Sequence, residues 1–349
     1  MKKVKKTTLI QQKRRTIELL TKAYSEKRRI VAPLVGFPGC DITGFSIKVA
    51  QQNHGTHFAC VKALVDLLKP DIAFMMMDLS VEANALGLPV RFPVDESSSV
   101  ERHPVETVED LRRYRRVNIL QDSRIQSYVK TIEMMAMGLP GEVLKCAYVI
   151  GPLTLAGLLR SAEQVAMDSI LKPDMLHTLC EFATDIIQDY AGALINAGAD
   201  LICILEPTGV ILGPQQFRDF SSFYVKHIIE SYKYAKVETI YHVCGNTMHL
   251  VNEMAQSGVA ALSIDSIEFG VDIERVAATL PPDVAVIGNI SPTRTLKDGT
   301  PADVRKAVTE LMRKMKPYKN FILSTGCDIP PQTPTENLKA FMEAGRGFK

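Results

Sequence analysis

Short apolar runs alternate with longer helix-like segments along most of the chain. Each run is about four to eight residues long, which is the length of a buried strand, and turn-forming or charged residues bound it. The predicted strands are 29–35, 71–77, 145–150, 200–205, 239–243, 259–264, 284–288 and 320–324. Continuous apolar strands that alternate with helices are typical of a parallel sheet covered on both faces.

The number of predicted strands matches a closed barrel, since a (β/α)8 barrel needs eight. We therefore predict an α/β fold, a (β/α)8 TIM barrel over residues 29–349, preceded by an N-terminal helical extension over residues 1–28 that contains a helix at 7–28. An open doubly wound sheet is the alternative. No glycine-rich dinucleotide fingerprint or phosphate loop follows any of the strands, and this favours the barrel.

One stretch departs from this alternation. Residues 87–122 contain three prolines and many charges, and we expect loops and short helices inserted on the barrel there. The regular helices are predicted near 56–68, 173–197, 214–235, 247–257, 272–279, 301–315 and 335–344.

The composition indicates which partners and which cellular compartment to expect. The 41 Lys and Arg residues nearly balance the 39 Asp and Glu residues, so the broad basic field of a nucleic-acid-binding protein is not expected. The sequence contains no run of about 18 apolar residues, the length that a membrane span needs. The N-terminus also lacks the apolar core of a secretory signal. We expect a cytoplasmic protein without nucleic-acid or membrane partners. A basic cluster near the start, in residues 2–15, is interpreted as a solvated tail.

The seven cysteines are odd in number and dispersed, which is not typical of a disulfide framework. Cys146, Cys180 and Cys203 lie within apolar runs and are interpreted as small core residues. The other cysteines are therefore the better candidates for metal binding or nucleophilic chemistry.

Polar residues lie at or just after the ends of six of the predicted strands. Barrel active sites form at the carboxyl ends of the strands, so these side chains are expected to converge on one site. They are Asp78, Glu206, His242 with Cys244, Asp265, Asn289, and Cys327 with Asp328.

His242 and Cys244 stand two residues apart, so in an extended segment both side chains point to the same side. Cys327 lies 83 residues after Cys244, at the end of the last strand, and Gly245 and Gly326 leave space beside the two cysteines. Three His and Cys ligands suit Zn²⁺ and leave a fourth position open for a substrate. The alternative is a buried histidine with inert cysteines, because H-x-C occurs often by chance.

Several motifs resemble the uroporphyrinogen decarboxylase superfamily, and in particular its branch of cobalamin-dependent methyltransferases, which includes the methylcobamide:coenzyme M methyltransferases. The matching stretches are Glu206-Pro207-Thr208-Gly209, Leu212-Gly213-Pro214 with Phe217, YHVCGNT at 241–247, Gly288-Asn289-Ile290-Ser291-Pro292 and STGCDIPPQTPTENLKA at 324–340. They cover the C-terminal half, and the N-terminal half matches mainly in strand order.

The resemblance implies that His242, Cys244 and Cys327 are zinc ligands. It also implies a zinc-dependent methyltransferase that moves a methyl group from a methylated corrinoid (methylcobalamin), presented by a partner corrinoid protein, to a small-molecule thiol such as coenzyme M. Glu206 is a candidate fourth ligand or a group that orients His242, and the alternative is a hydrogen-bonded structural carboxylate. Asp265 and Asn289 are candidates for positioning the zinc ligands or the acceptor. The acceptor pocket is expected among residues 34–45 and 75–82.

The decarboxylase itself is similar in fold but carries an arginine-rich segment after its first strand. Residues 34–41 of this chain, LVGFPGCD, contain no arginine to pair with the carboxylates of a porphyrinogen, so that activity is not favoured. Two further functions stay open. The same barrel could take a methyl group from a methoxylated aromatic or a methylamine and pass it to a corrinoid protein, or the chain could be a non-catalytic corrinoid- or porphyrin-binding protein.

Overall fold

The structure is a computed structural model that describes residues 15–347. The predicted N-terminal helix is observed as α1 (Arg15–Ser25), while residues 7–14 and most of the basic cluster lie outside the described residues. The division between an extension and a barrel domain at residue 28 stays a prediction.

The main sheet is parallel, and its strands follow one another in chain order, as in a (β/α)8 barrel. Every residue of the strands that form its first half is buried, which explains why they are continuous apolar runs. The strands of this sheet are β1 (Ile72–Phe74), β4 (Leu144–Ile150), β5 (Leu201–Leu205), β6 (Glu238–Val243), β7 (Ala261–Ile264), β8 (Ala285–Ile290) and β9 (Phe321–Thr325). Two short strands, β2 (Val90–Arg91) and β3 (Ser99–Val100), form a separate antiparallel hairpin.

Residues 30–32 close the barrel between β9 and β1. The Ala32 amide donates to the Leu323 carbonyl (2.9 Å), and the Asp71 amide donates to the Val31 carbonyl (3.2 Å). The sequence predicted a longer strand at 29–35, but the regular pairing is limited to one parallel bridge between Val31 and Leu323. Pro33 has no amide hydrogen, so the ladder cannot continue past it. The (β/α)8 fold is confirmed, with an abbreviated first strand.

Helices cover the outside of the sheet, and several begin at strong capping residues. The Asn53 side chain accepts a hydrogen bond from the Thr56 amide at the start of one helix. Thr300 and Asp303 form a capping box at the start of another, with Pro301 in its first turn. The helices after α1 are α2 (Pro38–Thr43), α3 (Ile47–Ala50), α4 (His54–Leu68), α5 (Val81–Ala85), α6 (Leu111–Tyr114), α7 (Ser123–Gly138), α8 (Pro152–Arg160), α9 (Ala162–Leu171), α10 (Pro173–Asn196), α11 (Pro214–Phe217), α12 (Phe223–Ser231), α13 (Val251–Gln256), α14 (Ile273–Thr279), α15 (Pro301–Lys314) and α16 (Thr335–Gly347).

The predicted insertion at 87–122 contains the β2–β3 hairpin, α6 and two short 3-10 turns, as its prolines and charges indicate. Among residues 15–347, no helix has both the length and the apolar character that a membrane span requires.

Strand register decides which side chains share the carboxyl-terminal rim of the barrel. His242 pairs with Leu205 on one side and with Ser263 on the other, and Asn289 pairs with Ser324. These residues therefore stand at similar heights near the ends of their strands, where the loops that carry Cys244 and Cys327 also begin.

Candidate metal centre

Three side chains converge at the carboxyl-terminal rim as a compact triangle of ligand atoms. His242 Nε2 lies 3.0 Å from Cys244 Sγ, and the two sulfur atoms of Cys244 and Cys327 are 3.2 Å apart. The third side, between Cys327 Sγ and His242 Nε2, is 3.6 Å. Within residues 15–347, this is the one group of His, Cys, Asp or Glu whose ligand atoms are close enough together to hold a metal ion.

The triangle has the size that zinc requires. With zinc–sulfur bonds of about 2.3 Å and zinc–nitrogen bonds of about 2.0–2.1 Å, tetrahedral ligands stand roughly 3.5–3.8 Å apart. The observed separations are at most about 0.6 Å shorter than this, a difference that small side-chain rotations remove. The donor set of one imidazole and two thiols suits Zn²⁺ better than the hard cations, which prefer oxygen.

The three side chains of the triangle differ in burial, so one side of the triangle is partly open to solvent. His242 is buried, while Cys244 and Cys327 are partly exposed. Cys244 follows β6 and precedes Gly245, which adopts a positive φ of 84° that favours glycine. A side chain at Gly326 would collide with the backbone of Ser266, so the loop that carries Cys327 must pass close to β7. Both cysteines therefore reach the triangle from tight, glycine-dependent turns.

The two thiols influence each other strongly. The hydrogen bond from the Cys244 thiol lowers the pKa of Cys327 well below its usual value, and the neighbouring His242 acts in the same direction. A thiolate is the form that binds a metal ion. The pair is therefore arranged so that one sulfur loses its proton readily.

Ser263 on β7 orients the histidine. Its Oγ lies 2.9 Å from His242 Nδ1, and both side chains are buried. When His242 Nδ1 donates to Ser263, the other ring nitrogen, Nε2, presents its lone pair to the two cysteines. Sequence reasoning did not identify Ser263. The available signal was its position as a lone polar residue in the apolar run 259–264.

Asp265 lies beside the triangle and holds the backbone around it. Its Oδ2 accepts a hydrogen bond from the Gly245 amide (2.8 Å), and its Oδ1 accepts one from the Ser266 amide (2.7 Å). Burial raises the pKa of Asp265, and the two amides act in the opposite direction. Asp265 thus anchors the turn after Cys244, and its carboxylate is not part of the triangle of His242, Cys244 and Cys327.

Asn289 contacts backbone carbonyls. Its side-chain amide donates to the carbonyls of Asp265 (2.9 Å) and Val271 (3.1 Å). These bonds tie the end of β8 to the loop after β7, and the role of Asn289 in positioning the site stays a prediction.

Glu206 is fully buried, and its carboxylate meets several donors at the start of α8. It accepts hydrogen bonds from the Thr154 amide (2.6 Å), the Leu153 amide (3.2 Å) and the Ser221 hydroxyl (2.8 Å). Burial raises the pKa of Glu206 to about 7, against the lowering effect of these bonds. Glu206 is not part of the clustered ligand set, and its role as a fourth ligand stays a prediction.

Asp78, in the segment that follows β1, belongs to a different buried network. It forms an ion pair with Arg124 and accepts a hydrogen bond from the Tyr128 hydroxyl (2.8 Å). The Ser98 hydroxyl also donates to it (2.9 Å), which links the β2–β3 hairpin to the barrel. Asp78 is thus not part of the triangle of His242, Cys244 and Cys327.

Comparison with known proteins agrees with this architecture. The uroporphyrinogen decarboxylase family profile matches residues 39–348. The chain belongs to the uroporphyrinogen decarboxylase family.

Relatives within the family differ in activity. The chain is 28% identical over 275 residues to a methylcobamide:CoM methyltransferase, MtbA, of Methanosarcina mazei, with 78% of each sequence covered. It is 26% identical over 288 residues to a uroporphyrinogen decarboxylase of Prochlorococcus marinus, with 80% of each covered. A solved methyltransferase from Methanosarcina mazei superimposes with a TM-score of 0.82, at 24% identity, over 93% of this chain and 96% of that one. This last likeness confirms the barrel fold.

Proposed function

We propose that this chain is a zinc-dependent methyltransferase that moves a methyl group from a protein-bound methylated corrinoid to a thiol such as coenzyme M. The observation that carries the proposal is the triangle of His242, Cys244 and Cys327 at the barrel rim, with two of its members partly exposed. The methylcobamide:CoM methyltransferases among the relatives support the same direction of transfer.

His242, Cys244 and Cys327 would hold the metal. When bound there, zinc supplies a positive charge that favours the deprotonated, nucleophilic form of an incoming thiol. Because these three residues occupy one side of the site, a fourth position is left for the acceptor, as in catalytic zinc sites.

The surrounding residues keep the ligands in place. Ser263 lies within hydrogen-bond distance of His242 Nδ1 and would accept from it in the tautomer that presents Nε2, and Asp265 holds the turn after Cys244 through the Gly245 amide. Because these supports are buried or backbone-anchored, the ligand geometry changes little when substrate binds. In the transfer, the acceptor sulfur forms a bond to the methyl carbon while the cobalt–carbon bond breaks and its electron pair stays on cobalt.

Decarboxylation of a porphyrinogen is less well supported. The first strand is followed by α2 (Pro38–Thr43), and neither α2 nor the segment that leads into it contains an arginine. A substrate with many carboxylates needs such counter-charges. A decarboxylase also has no evident need for a His–Cys–Cys triangle.

The proposal is tested by metal content and turnover together. Protein purified without added metal or chelator should contain about one zinc ion per chain, and replacing Cys244 or Cys327 by Ala should remove it. The intact protein should demethylate methylcobalamin when 2-mercaptoethanesulfonate is present, and both variants should lose this activity. Cys180→Ala is the matched control, because Cys180 is buried in α10 outside the cluster.

Two results would count against the proposal. A protein that neither contains zinc nor takes it up would contradict the metal site. A zinc-loaded protein that leaves methylcobalamin intact with thiols, but methylates a reduced corrinoid from an external donor, would contradict the direction of transfer.

A further inference from the structure

Several buried polar atoms have no partner among the described residues, and two of them belong to residues that lie within electrostatic reach of the Cys327 thiol. The hydroxyl oxygen of Tyr148 and the Oδ2 atom of Asp328 are both inaccessible to solvent, and neither makes a hydrogen bond. A buried polar group without a partner destabilises the folded protein, because it has lost its hydrogen bonds to water. Such atoms in a native protein therefore need an explanation, and a ligand that supplies the missing bond is one.

Strand register places Tyr148 on the same face of the sheet as His242. Tyr148 stands two residues before Ile150, which pairs with Leu205, and Leu205 in turn pairs with His242. Paired residues of neighbouring parallel strands point to one face, and so do residues two apart along a strand, so both side chains lie on the same side of the sheet.

The neighbours of the phenol ring fix its position. The ring stacks on Phe74 of β1, with 5.7 Å between the ring centres and 20° between the planes. Burial raises the pKa of Tyr148 well above its usual value, and the Asp328 carboxyl and the Cys327 thiol contribute further. The hydroxyl therefore keeps its proton at all ordinary pH values and lies within electrostatic reach of one metal-binding residue. It can donate a hydrogen bond but has nothing to donate to among the residues that the structure describes.

We propose that Tyr148 is a substrate-binding residue whose hydroxyl donates a hydrogen bond to an oxygen atom on the head group of the thiol acceptor. The inference rests on the proposed function, and it names the acceptor class as small thiols with an oxygen-bearing head group. A sulfonate, carboxylate or hydroxyl oxygen can accept this bond, and a hydroxyl can also donate to Asp328 Oδ2. A corrinoid is much larger than such a thiol, so the thiol acceptor is the substrate that can reach an enclosed hydroxyl.

The site differs from the region where sequence reasoning placed acceptor recognition. Residues 34–45 and 75–82 were expected to form that pocket, whereas Tyr148 lies on β4. No polar pattern in the run KCAYVI distinguishes a substrate-binding tyrosine from a core one.

The test compares two thiols of similar length, 2-mercaptoethanesulfonate and 1-propanethiol, in the demethylation of methylcobalamin by Tyr148→Phe. The variant should raise KM for the sulfonate about tenfold, the effect of one lost hydrogen bond to a charged group, and leave KM for propanethiol unchanged. Because the lost hydroxyl has no partner in the described fold, the thermal midpoint should stay the same or rise. Tyr190→Phe is the matched control, since its hydroxyl is also buried and unpartnered among the described residues but lies on α10.

The outcomes separate this inference from the proposed function. Equal changes for both thiols, or no change for either, would overturn the role of Tyr148 while leaving methyl transfer established. If neither thiol is methylated by the intact protein, the proposed function fails. Calorimetric titration of the zinc-loaded protein with 2-mercaptoethanesulfonate, without corrinoid, still decides the inference: weaker binding to Tyr148→Phe supports it, and equal or absent binding overturns it.

Discussion

The contact between Ser263 and His242 fixes the ring of a proposed metal ligand. Without a partner at Nδ1, the imidazole could present either nitrogen to the cysteines and could rotate about its side-chain bonds. The contact is buried, so water cannot replace the serine hydroxyl.

Replacing Ser263 by Ala should therefore weaken zinc binding about 10- to 100-fold, the usual effect of removing a partner of a metal-bound histidine. The measurement is competition with a chromogenic chelator at neutral pH. Ser257→Ala is a suitable control, because Ser257 is equally buried but donates to the Met254 carbonyl. Unchanged zinc affinity in Ser263→Ala would refute the orienting role.

The burial of His57 makes the stability of the folded protein depend on pH. Its Nε2 accepts a hydrogen bond from the Met76 amide (2.8 Å), and the side chain is completely buried. Burial lowers the pKa of His57 to about 3, despite the opposing charge of Asp78. The folded protein therefore keeps this ring neutral across the pH range in which an unfolded chain protonates it.

The sign of the effect follows from proton counting. Between about pH 6.5 and pH 3 the unfolded chain binds a proton at His57 that the folded chain does not, so stability falls as the pH is lowered, by up to about 1.4 kcal/mol per unit. Urea unfolding at pH 7.0 and 5.5 should show this loss, and His57→Gln should reduce the difference between the two values. An identical pH dependence in the variant would show that other groups cause it.

At the scale of elements, α8 depends on a residue from a neighbouring strand. Its N-cap is Gly151, which has no side chain to bond the first amides, and the carboxylate of Glu206 takes that role from the end of β5. A side chain at Gly151 would collide with this carboxylate. The absence of a side chain at Gly151 thus leaves the space that the Glu206 carboxylate occupies.

Replacing Glu206 by Ala should lower the free energy of unfolding by about 3 kcal/mol, because two buried amides and the Ser221 hydroxyl lose their acceptor. Urea unfolding measures the change. Thr300→Ala removes an exposed cap from α15 and should cost only about 1 kcal/mol. If Glu206→Ala costs no more than Thr300→Ala, the carboxylate is not the main stabiliser of α8. Zinc content in the same variant tests separately whether Glu206 is a fourth ligand.

At the scale of the molecule, barrel closure depends on a short segment between the last and first strands. The Val31 amide donates to Asp71 Oδ2 (2.8 Å), and Asp71 also forms an ion pair with Arg28 (2.8 Å). These side-chain bonds replace part of the backbone hydrogen bonding that Pro33, which has no amide hydrogen, prevents.

Asp71→Ala should therefore destabilise the protein by about 1–2 kcal/mol and speed hydrogen exchange at the Val31 amide. Asp66→Ala provides the comparison, because Asp66 pairs with Lys62 on the surface of α4 and should contribute less than about 0.5 kcal/mol. Equal stabilities of the two variants would show that the closure does not depend on Asp71.

The sequence by itself determined the alternation of strands and helices, and with it the barrel. Strands buried on both faces must be apolar throughout, so the residues after each run, such as His242 and Asp265, stand out as polar groups at a common rim. The H-x-C pattern and Cys327 were therefore visible as candidates before any distance was known.

Tertiary structure decided which polar groups share a site and which serve the fold. Glu206 and Asp78 follow strands at the same edge of the sheet as His242, yet Glu206 caps α8 and Asp78 pairs with Arg124. Ser263 and Tyr148 became candidates only when register placed one beside the histidine and the other on the same face of the sheet. The physical reason is that the periodicity of apolar residues indicates which side of one element is buried. Hydrogen-bond partners, in contrast, come from elements that are distant in sequence.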